Sequence, residues 1–161
     1  MRRSDREVVG VAELAGILDR AEFLTLAVSD GGSPALVPLS FGYRVDESGK
    51  FVFYFHAAQE GRKIDCLKAD PRASLSAVGE NRIVLAEPAC RSTCLYECVM
   101  AAGRIVFVTD PAEKRLALDL LMQHCGARGS FDYPPAMLDR TAILRFDTET
   151  ITGKSNLPRD F

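Results

Sequence analysis

The stretch FVFYFHAAQEGRKID, residues 51–65, decides the fold prediction. Its first half alternates between two sets of side chains, because successive residues of a β-strand point to opposite faces. A polar turn then leads into a predicted helix over residues 61–69, which ends before Pro71. The stretch therefore predicts a buried strand that passes through a turn into a short helix. One strand face carries Phe51, Phe53 and Phe55, and the other carries Val52, Tyr54 and His56.

The first turn of that helix carries two cations, Arg62 and Lys63. Unpaired N–H groups and the positive end of the helix dipole favour an anion at a helix start, and two cations add charge-assisted hydrogen bonds. The pattern therefore indicates a phosphate site. The alternative is a solvated surface helix with two ordinary basic residues, since Arg and Lys are common on exposed helices.

Before this stretch, the pattern predicts one helix and two strands. Apolar runs at residues 23–29 and 35–45 are separated by a turn signal, DGGS, and predict two strands. Together with the strand over residues 50–57, they form a predicted three-stranded meander. A helix over residues 11–21 has four apolar residues at helical spacing, Val11, Leu14, Leu18 and Ala21.

After this stretch, the pattern predicts further strands and a longer helix. Asp110 as N-cap, Pro111 in the first turn and Glu113 at the third position form a capping-box-like helix start. Gly79 and Gly103 mark bends or close backbone approaches. The predicted buried face of the helix consists of Leu116, Leu120 and Leu121. The predicted strands cover residues 73–78, 82–86, 96–108 and 142–152, with a loop at residues 126–135.

This order of elements predicts a mainly β fold in a single domain, residues 1–161. Hairpins come first, and helices are few and short, which favours a closed or partly closed β-barrel of six or seven mostly antiparallel strands with helices outside. The length of 161 residues agrees with one domain that buries a sizeable core.

Composition excludes several classes of partner and location. The formal net charge is −2, without a long basic tract, so nucleic acid is not expected as a partner. No apolar run reaches the length of a membrane-spanning helix, and no secretory leader is evident, so we expect a cytoplasmic protein without membrane contact.

The cysteines are expected to be reduced thiols without a metal. An odd number without an export signal argues against a disulfide framework. Three of them recur every fourth residue, but no fourth ligand lies nearby, as zinc and iron–sulfur sites require. The five positions are Cys66, Cys90, Cys94, Cys98 and Cys125.

Four motifs along residues 10–155 resemble the FMN-binding split-barrel superfamily, the pyridoxamine 5'-phosphate oxidase-like proteins. The first is the segment HAAQEGRKID at residues 56–65, followed by LKADPRASL at residues 67–75. The others are VPLSF at 37–41, YECV at 96–99 with Gly103, and ITGK at 151–154. The sequence is most similar to the nitroimidazole-resistance-type branch.

The resemblance implies a six- or seven-stranded antiparallel split β-barrel with flanking helices that forms a homodimer. FMN, or alternatively FAD, would bind in two clefts between the subunits, with its phosphate against Arg62 and Lys63 after Gly61. Cys98 would approach the cofactor from a neighbouring strand, and Lys154 would reach the cofactor or the dimer contact. The flavin ring would rest on the backbone of Val37, Pro38, Leu39 and Ser40 and on His56 and Ala57.

Two departures from the family pattern narrow the function. The related branch usually has Ser where this chain has Cys98, which weakens any hydrogen bond to the flavin edge. The chain has no Trp, whereas true pyridoxamine 5'-phosphate oxidases use a stretch containing Trp to recognise the vitamin. The resemblance therefore does not extend to vitamin oxidation.

His56 is the candidate catalytic residue, because the matching His in the related branch lies beside the flavin. It could donate a proton to a substrate or hold the ring; the alternative is a histidine that only packs and forms hydrogen bonds. The predicted function is a flavin-dependent oxidoreductase that reduces a small acceptor, such as a nitro-aromatic compound. The alternative is a flavin- or haem-binding protein without turnover.

Overall fold

The computed structural model describes residues 3–158. The two ends of the predicted domain, residues 1–2 and 159–161, lie outside the described residues. The helices are α1 (Val11–Arg20), α2 (Arg62–Ala69), α3 (Pro111–His124) and α4 (Pro135–Arg140). The strands are β1 (Glu7–Val8), β2 (Leu24–Asp30), β3 (Ser33–Leu39), β4 (Gly42–Val45), β5 (Phe51–Ala57), β6 (Arg72–Val84), β7 (Thr93–Val108) and β8 (Ala142–Ser155).

Seven strands form one antiparallel sheet in the order β3-β2-β6-β7-β8-β5-β4, and β1 adds a two-residue pairing to β8. This confirms the predicted mainly β fold with flanking helices. The pattern did not predict β1 or α4, which are too short to show a periodicity.

The sheet curls until its two edges approach each other. Strands β3 and β4 lie at opposite edges, yet only Ser40 and Phe41 separate them in sequence. Because consecutive Cα atoms lie about 3.8 Å apart, Leu39 and Gly42 are within roughly 11 Å of each other. No ladder joins β3 to β4 in residues 3–158, so the barrel is split rather than closed.

The predicted meander is therefore wrong, because the apolar run over residues 35–45 is two strands and not one. The chain leaves the sheet at Phe41, which is fully buried, and re-enters it at Gly42 on the far edge. Helix α3 crosses close to that re-entry point: a Cβ on Gly42 would lie 2.6 Å from the backbone of Leu120 and Leu121. The two hairpins β2–β3 and β4–β5 thus stand at opposite edges.

Strand β5 is buried on both faces, as its alternation predicts. Phe51, Phe53 and Phe55 join the main core inside the barrel. Val52 and Tyr54 form a second cluster with α3. This second cluster positions the end of β5, from which the chain continues to α2.

The buried residues of α1 and α3 differ in part from the predicted ones. In α1, Ile17 is buried between Leu14 and Leu18, and Val11 is 43% exposed, because the helix covers the core with its middle and not with its first residue. In α3, Ala117 and Leu121 are buried. Leu116 is 42% exposed, and Leu120 is partly buried. A smaller residue at position 117 lets α3 approach the sheet closely.

Several local signals are confirmed. The side chain of Asp110 accepts hydrogen bonds from the backbone N–H groups of Ala112 and Glu113, and so caps α3. The predicted strands over 73–78 and 82–86 are one strand, β6, with an irregularity between Val78 and Asn81 that contains Gly79. A register shift between β7 and β8 begins at Gly103.

No helix in the described part of the chain is long and apolar enough to span a membrane.

Candidate functional site

The N-terminus of α2 is open to an anion. Gly61 precedes the helix with φ 119°, and its carbonyl oxygen accepts from Ile64 N at 2.8 Å and Asp65 N at 3.1 Å. No side chain within residues 3–158 caps α2, in contrast to α3. The first N–H groups of α2 therefore have no partner inside the helix, and the helix dipole favours negative charge there.

Two cations surround this helix start in different ways. The Arg62 side chain is 82% exposed and forms an ion pair with Asp30 at the end of β2. Lys63 is half-buried, and burial lowers the pKa of its ammonium group. The positive charge is thus concentrated on the first two residues of α2, where the sequence predicted it.

His56 lies near the end of β5, opposite Ile143 of β8. Desolvation, and secondarily the charge of Lys63, lowers the pKa of His56 below its ordinary value. Within the described residues, its ring has no hydrogen-bond partner. The lowered pKa of His56 favours the neutral imidazole, whose side chain is exposed near the charge of Lys63.

The segment Val37–Ser40 lies beyond the same end of the β4–β5 ladder as His56. That ladder pairs Gly42 with Tyr54, and the two strands are antiparallel. Ser40 precedes Gly42 by two residues, and His56 follows Tyr54 by two residues, so both extend past this end of the ladder. The side chains of Pro38 and Ser40 are exposed, whereas those of Val37 and Leu39 are half-buried, and Leu39 packs against the core.

Edge strand β3 runs between the two parts of this candidate site, which are the start of α2 and the segment Val37–Ser40. Asp30, which holds Arg62, pairs with Ser33 at one end of the β2–β3 hairpin. Leu39 pairs with Leu24 at the other end. These ends are separated by six residues of strand, about 20 Å. The geometry therefore offers an elongated site with Arg62 at one end, exposed strand backbone at the other, and Lys63 near His56.

Cys98 and Lys154 form a separate group. They are register partners on β7 and β8, and Lys154 Nζ lies 5.5 Å from the centre of the Tyr96 ring. Burial raises the pKa of the Cys98 thiol, and the nearby Lys154 charge opposes this only partly. Along β8, Lys154 is eleven residues from Ile143, the partner of His56, or about 36 Å of strand. One chain alone does not bring Cys98 and His56 together.

The outer face of the sheet carries a shallow groove of about 530 Å³ that the sequence analysis missed. The groove lies across β3, β2, β6, β7 and β8, and Leu36 and Met100 on it are 69% and 38% exposed. The sequence signal that could have predicted this groove is a set of small side chains at alternate positions of several strands. The outward residues are Thr25, Ala27, Ser74, Ser76, Ala102, Thr150 and Thr152.

The fold agrees with the comparison to known families. A family model described as pyridoxamine 5'-phosphate oxidase matches residues 11–155, most of the chain. The chain therefore belongs to the pyridoxamine 5'-phosphate oxidase-like family, whose fold is the split barrel. No curated protein matches the sequence.

Solved structures show the same fold. A candidate 5-nitroimidazole antibiotic resistance protein from Bacteroides thetaiotaomicron is 26% identical with a TM-score of 0.80, over 92% of this chain and 85% of that one. The flavocytochrome Anf3 from Azotobacter vinelandii is 19% identical with a TM-score of 0.79, over 100% of this chain and 74% of that one. A FAD- and haem-binding protein from Mycobacterium smegmatis is 20% identical with a TM-score of 0.77, over 97% and 77%.

Proposed function

We propose that this protein binds a flavin along β3, with the phosphate at the N-terminus of α2. The observation that carries the proposal is the uncapped start of α2, whose first two residues are Arg62 and Lys63. Two cations and free N–H groups at one point match a terminal phosphate, which favours FMN over FAD. The family membership and the flavin-binding neighbours support a flavin.

The residues at the other end of the site fit a flat ring. Pro38 and Ser40 lie on an exposed edge strand, so their backbone is accessible, and the half-buried Val37 and Leu39 stiffen it from below. His56 is exposed at the end of β5, and the next residue, Ala57, is half-buried against the core. An apolar wall with a few polar groups is the usual composition of a cofactor pocket.

We further propose that the protein is an oxidoreductase that reduces a small acceptor, such as a nitro-aromatic compound. The bound flavin supplies the electron transfer, and the protein supplies binding and orientation. The lowered pKa of His56 keeps its imidazole neutral at pH 7, so that it holds the ring or acceptor through one N–H. At lower pH, His56 gains a proton that it can donate at the same position.

A second candidate function is cofactor binding without turnover, including haem. It draws support from the structural likeness to the FAD- and haem-binding protein. A haem needs an axial ligand, and the chain has two histidines. The Nε2 atom of His124 donates to Ala21 O at 2.8 Å, and the imidazole lies against Phe41, so His56 is the histidine that a haem could use.

We also propose a homodimer with the cofactor at its interface. Beyond Gly79, β6 and β7 continue as a two-stranded arm, residues 80–96, in which Ile83 and Leu85 are 74% and 82% exposed. Two strands alone are marginally stable in water, and exposed apolar side chains on them favour a covering partner. A second copy could also bring its Cys98 and Lys154 to the site that one chain leaves incomplete.

The identity of the cofactor tests the proposal directly. The purified protein should be yellow, with flavin absorption, and heat should release FMN. Release of FAD would agree with a flavin site but would reject the assignment of a terminal phosphate to the start of α2. A haem spectrum that His56→Ala abolishes would support the second candidate. A protein that binds neither flavin nor haem on incubation would reject both candidates.

A further inference from the structure

Asp30 is a turn residue by sequence, but its side chain faces the candidate site. It is the last residue of β2, and Gly31 and Gly32, with φ 58° and 92°, form the turn to β3. The Asp30 side chain is 26% exposed. The turn itself is made by the two glycines, so the carboxylate is available for another role.

The Asp30 carboxylate joins the β2–β3 hairpin to α2. Its Oδ2 accepts a hydrogen bond from Nε of Arg62 and forms an ion pair with Nη2. Cys66, one turn further along α2, is buried and lines the same small cavity as Asp30 and Arg62. Burial, and then the charge of Asp30, raises the pKa of the Cys66 thiol. Asp30 therefore binds the first residue of α2 and lies beside the next turn of that helix.

This contact leaves the outer edge of the Arg62 guanidinium free. Arginine has five N–H donors in a planar fork. Asp30 takes the Nε–Nη2 edge, and within residues 3–158 the Nη1 atom has no partner. The side chain is 82% exposed, so the free edge faces solvent. A planar edge of this kind makes the two parallel hydrogen bonds that a phosphate accepts.

The geometry points to Asp30 as a positioning residue for phosphate recognition by Arg62, an inference that rests on the proposed flavin site. Without Asp30, the long Arg62 side chain would sample many rotamers, and binding would have to order it. The negative charge of Asp30 also repels a phosphate. Salt screens that repulsion and also weakens the exposed Arg62–Asp30 ion pair, so the positioning effect should be largest at low salt.

Titration of Asp30→Ala with FMN and with riboflavin tests the inference. FMN affinity should fall roughly tenfold, about the effect of one charge-assisted hydrogen bond, and riboflavin affinity should stay unchanged. Asp30→Asn keeps an acceptor oxygen and should recover most of the FMN affinity. The matched control is Asp5→Ala, which removes another exposed carboxylate bonded to an arginine, Arg3, and should change neither affinity.

Three outcomes would overturn the inference. Unchanged or tighter FMN binding by Asp30→Ala would mean that the carboxylate does not position Arg62 or competes with the phosphate. Equal losses for FMN and riboflavin, with a lower melting temperature, would make Asp30 a turn residue only. If the unaltered protein bound riboflavin as tightly as FMN, the phosphate site itself would be wrong. In the first case, a clear FMN preference of the unaltered protein would reject the positioning role and keep the phosphate site.

Discussion

Arg20 donates to the carboxylate of Glu97 through Nε at 2.6 Å and Nη2 at 2.9 Å, and this ion pair joins the end of α1 to β7. Glu97 is 4% exposed and also accepts from Glu80 N at 3.1 Å. Gly79 lies against the same carboxylate, because a Cβ there would be 2.6 Å from Oε1. The pair therefore fixes the irregularity of β6 at the base of the β6–β7 arm.

Glu97→Ala should lower the free energy of unfolding by about 1–3 kcal/mol, because it removes the buried acceptor of several donors. Chemical denaturation followed by circular dichroism measures this. Asp5→Ala, which breaks the exposed Arg3–Asp5 pair, is the control and should leave the midpoint unchanged.

The same carboxylate predicts a pH dependence. Burial alone would raise the pKa of Glu97, but the hydrogen bonds from Arg20 and Glu80 hold it below its usual value. A group with a lowered folded pKa stabilises the fold above its unfolded pKa, about 4.3, and this stabilisation is lost as pH falls through the folded pKa. The stability gap between the unaltered protein and Glu97→Gln should therefore narrow below about pH 4. A constant gap from neutral to acidic pH would contradict this assignment.

Gly42→Ala should destabilise the protein by about 1–3 kcal/mol, since the new Cβ would overlap the backbone of α3. Gly16→Ala in α1 is the matched control, because its Cβ would meet only the Arg20 side chain at 3.5 Å or more. That change should stabilise the helix by up to about 1 kcal/mol. Thermal unfolding of both variants measures the two changes in stability. Equal effects would mean that α3 does not pack tightly on Gly42.

Local features of the fold were predictable from sequence. The alternation in residues 51–56 identified both faces of β5, and Asp110 marked the start of α3, because each signal depends on neighbours within a few residues. The strand break at Ser40 and Phe41 was not predictable in this way. It depends on α3, about eighty residues later, packing against Gly42.

Only the local part of the candidate site was predictable from sequence. Arg62 and Lys63 stand at a helix start, as their spacing indicated. Asp30 was missed because its partner Arg62 is distant in sequence, and an Asp before two glycines also fits an ordinary turn. The separation of Cys98 from His56 was not predictable either, since it follows from strand order and register.

His56→Ala should keep the fold and most of the FMN affinity, because the proposed phosphate anchor is elsewhere. It should lower the rate of electron transfer to an acceptor by roughly 10²-fold. For the unaltered protein, the rate should rise as pH falls through the pKa of His56, which burial lowers below its ordinary value, because His56 then gains its proton. Reoxidation of the reduced protein by a nitro-aromatic compound, followed by absorbance, measures both. Unchanged rates in the variant would make His56 a packing residue, and loss of FMN would make it a cofactor ligand.

The double substitution Ile83→Lys and Leu85→Lys should convert a dimer into a monomer, since it places two charges on the apolar arm. Sedimentation velocity gives the mass of each form. Met137→Lys is the control, because Met137 is also exposed, at 58%, but lies on α4. A dimer that survives the arm substitutions would place the interface elsewhere, and a monomeric unaltered protein with bound cofactor would reject the dimer.

The central claim, that α2 binds the phosphate of a flavin, is tested most directly by fluorescence titration with FMN and riboflavin. The unaltered protein should bind FMN far more tightly, and Arg62→Ala with Lys63→Ala should reduce FMN affinity by at least about 100-fold, or tenfold per contact. Lys68→Ala, at the other end of α2, is the control and should bind FMN normally. Equal affinities of the unaltered protein for FMN and riboflavin would contradict the account.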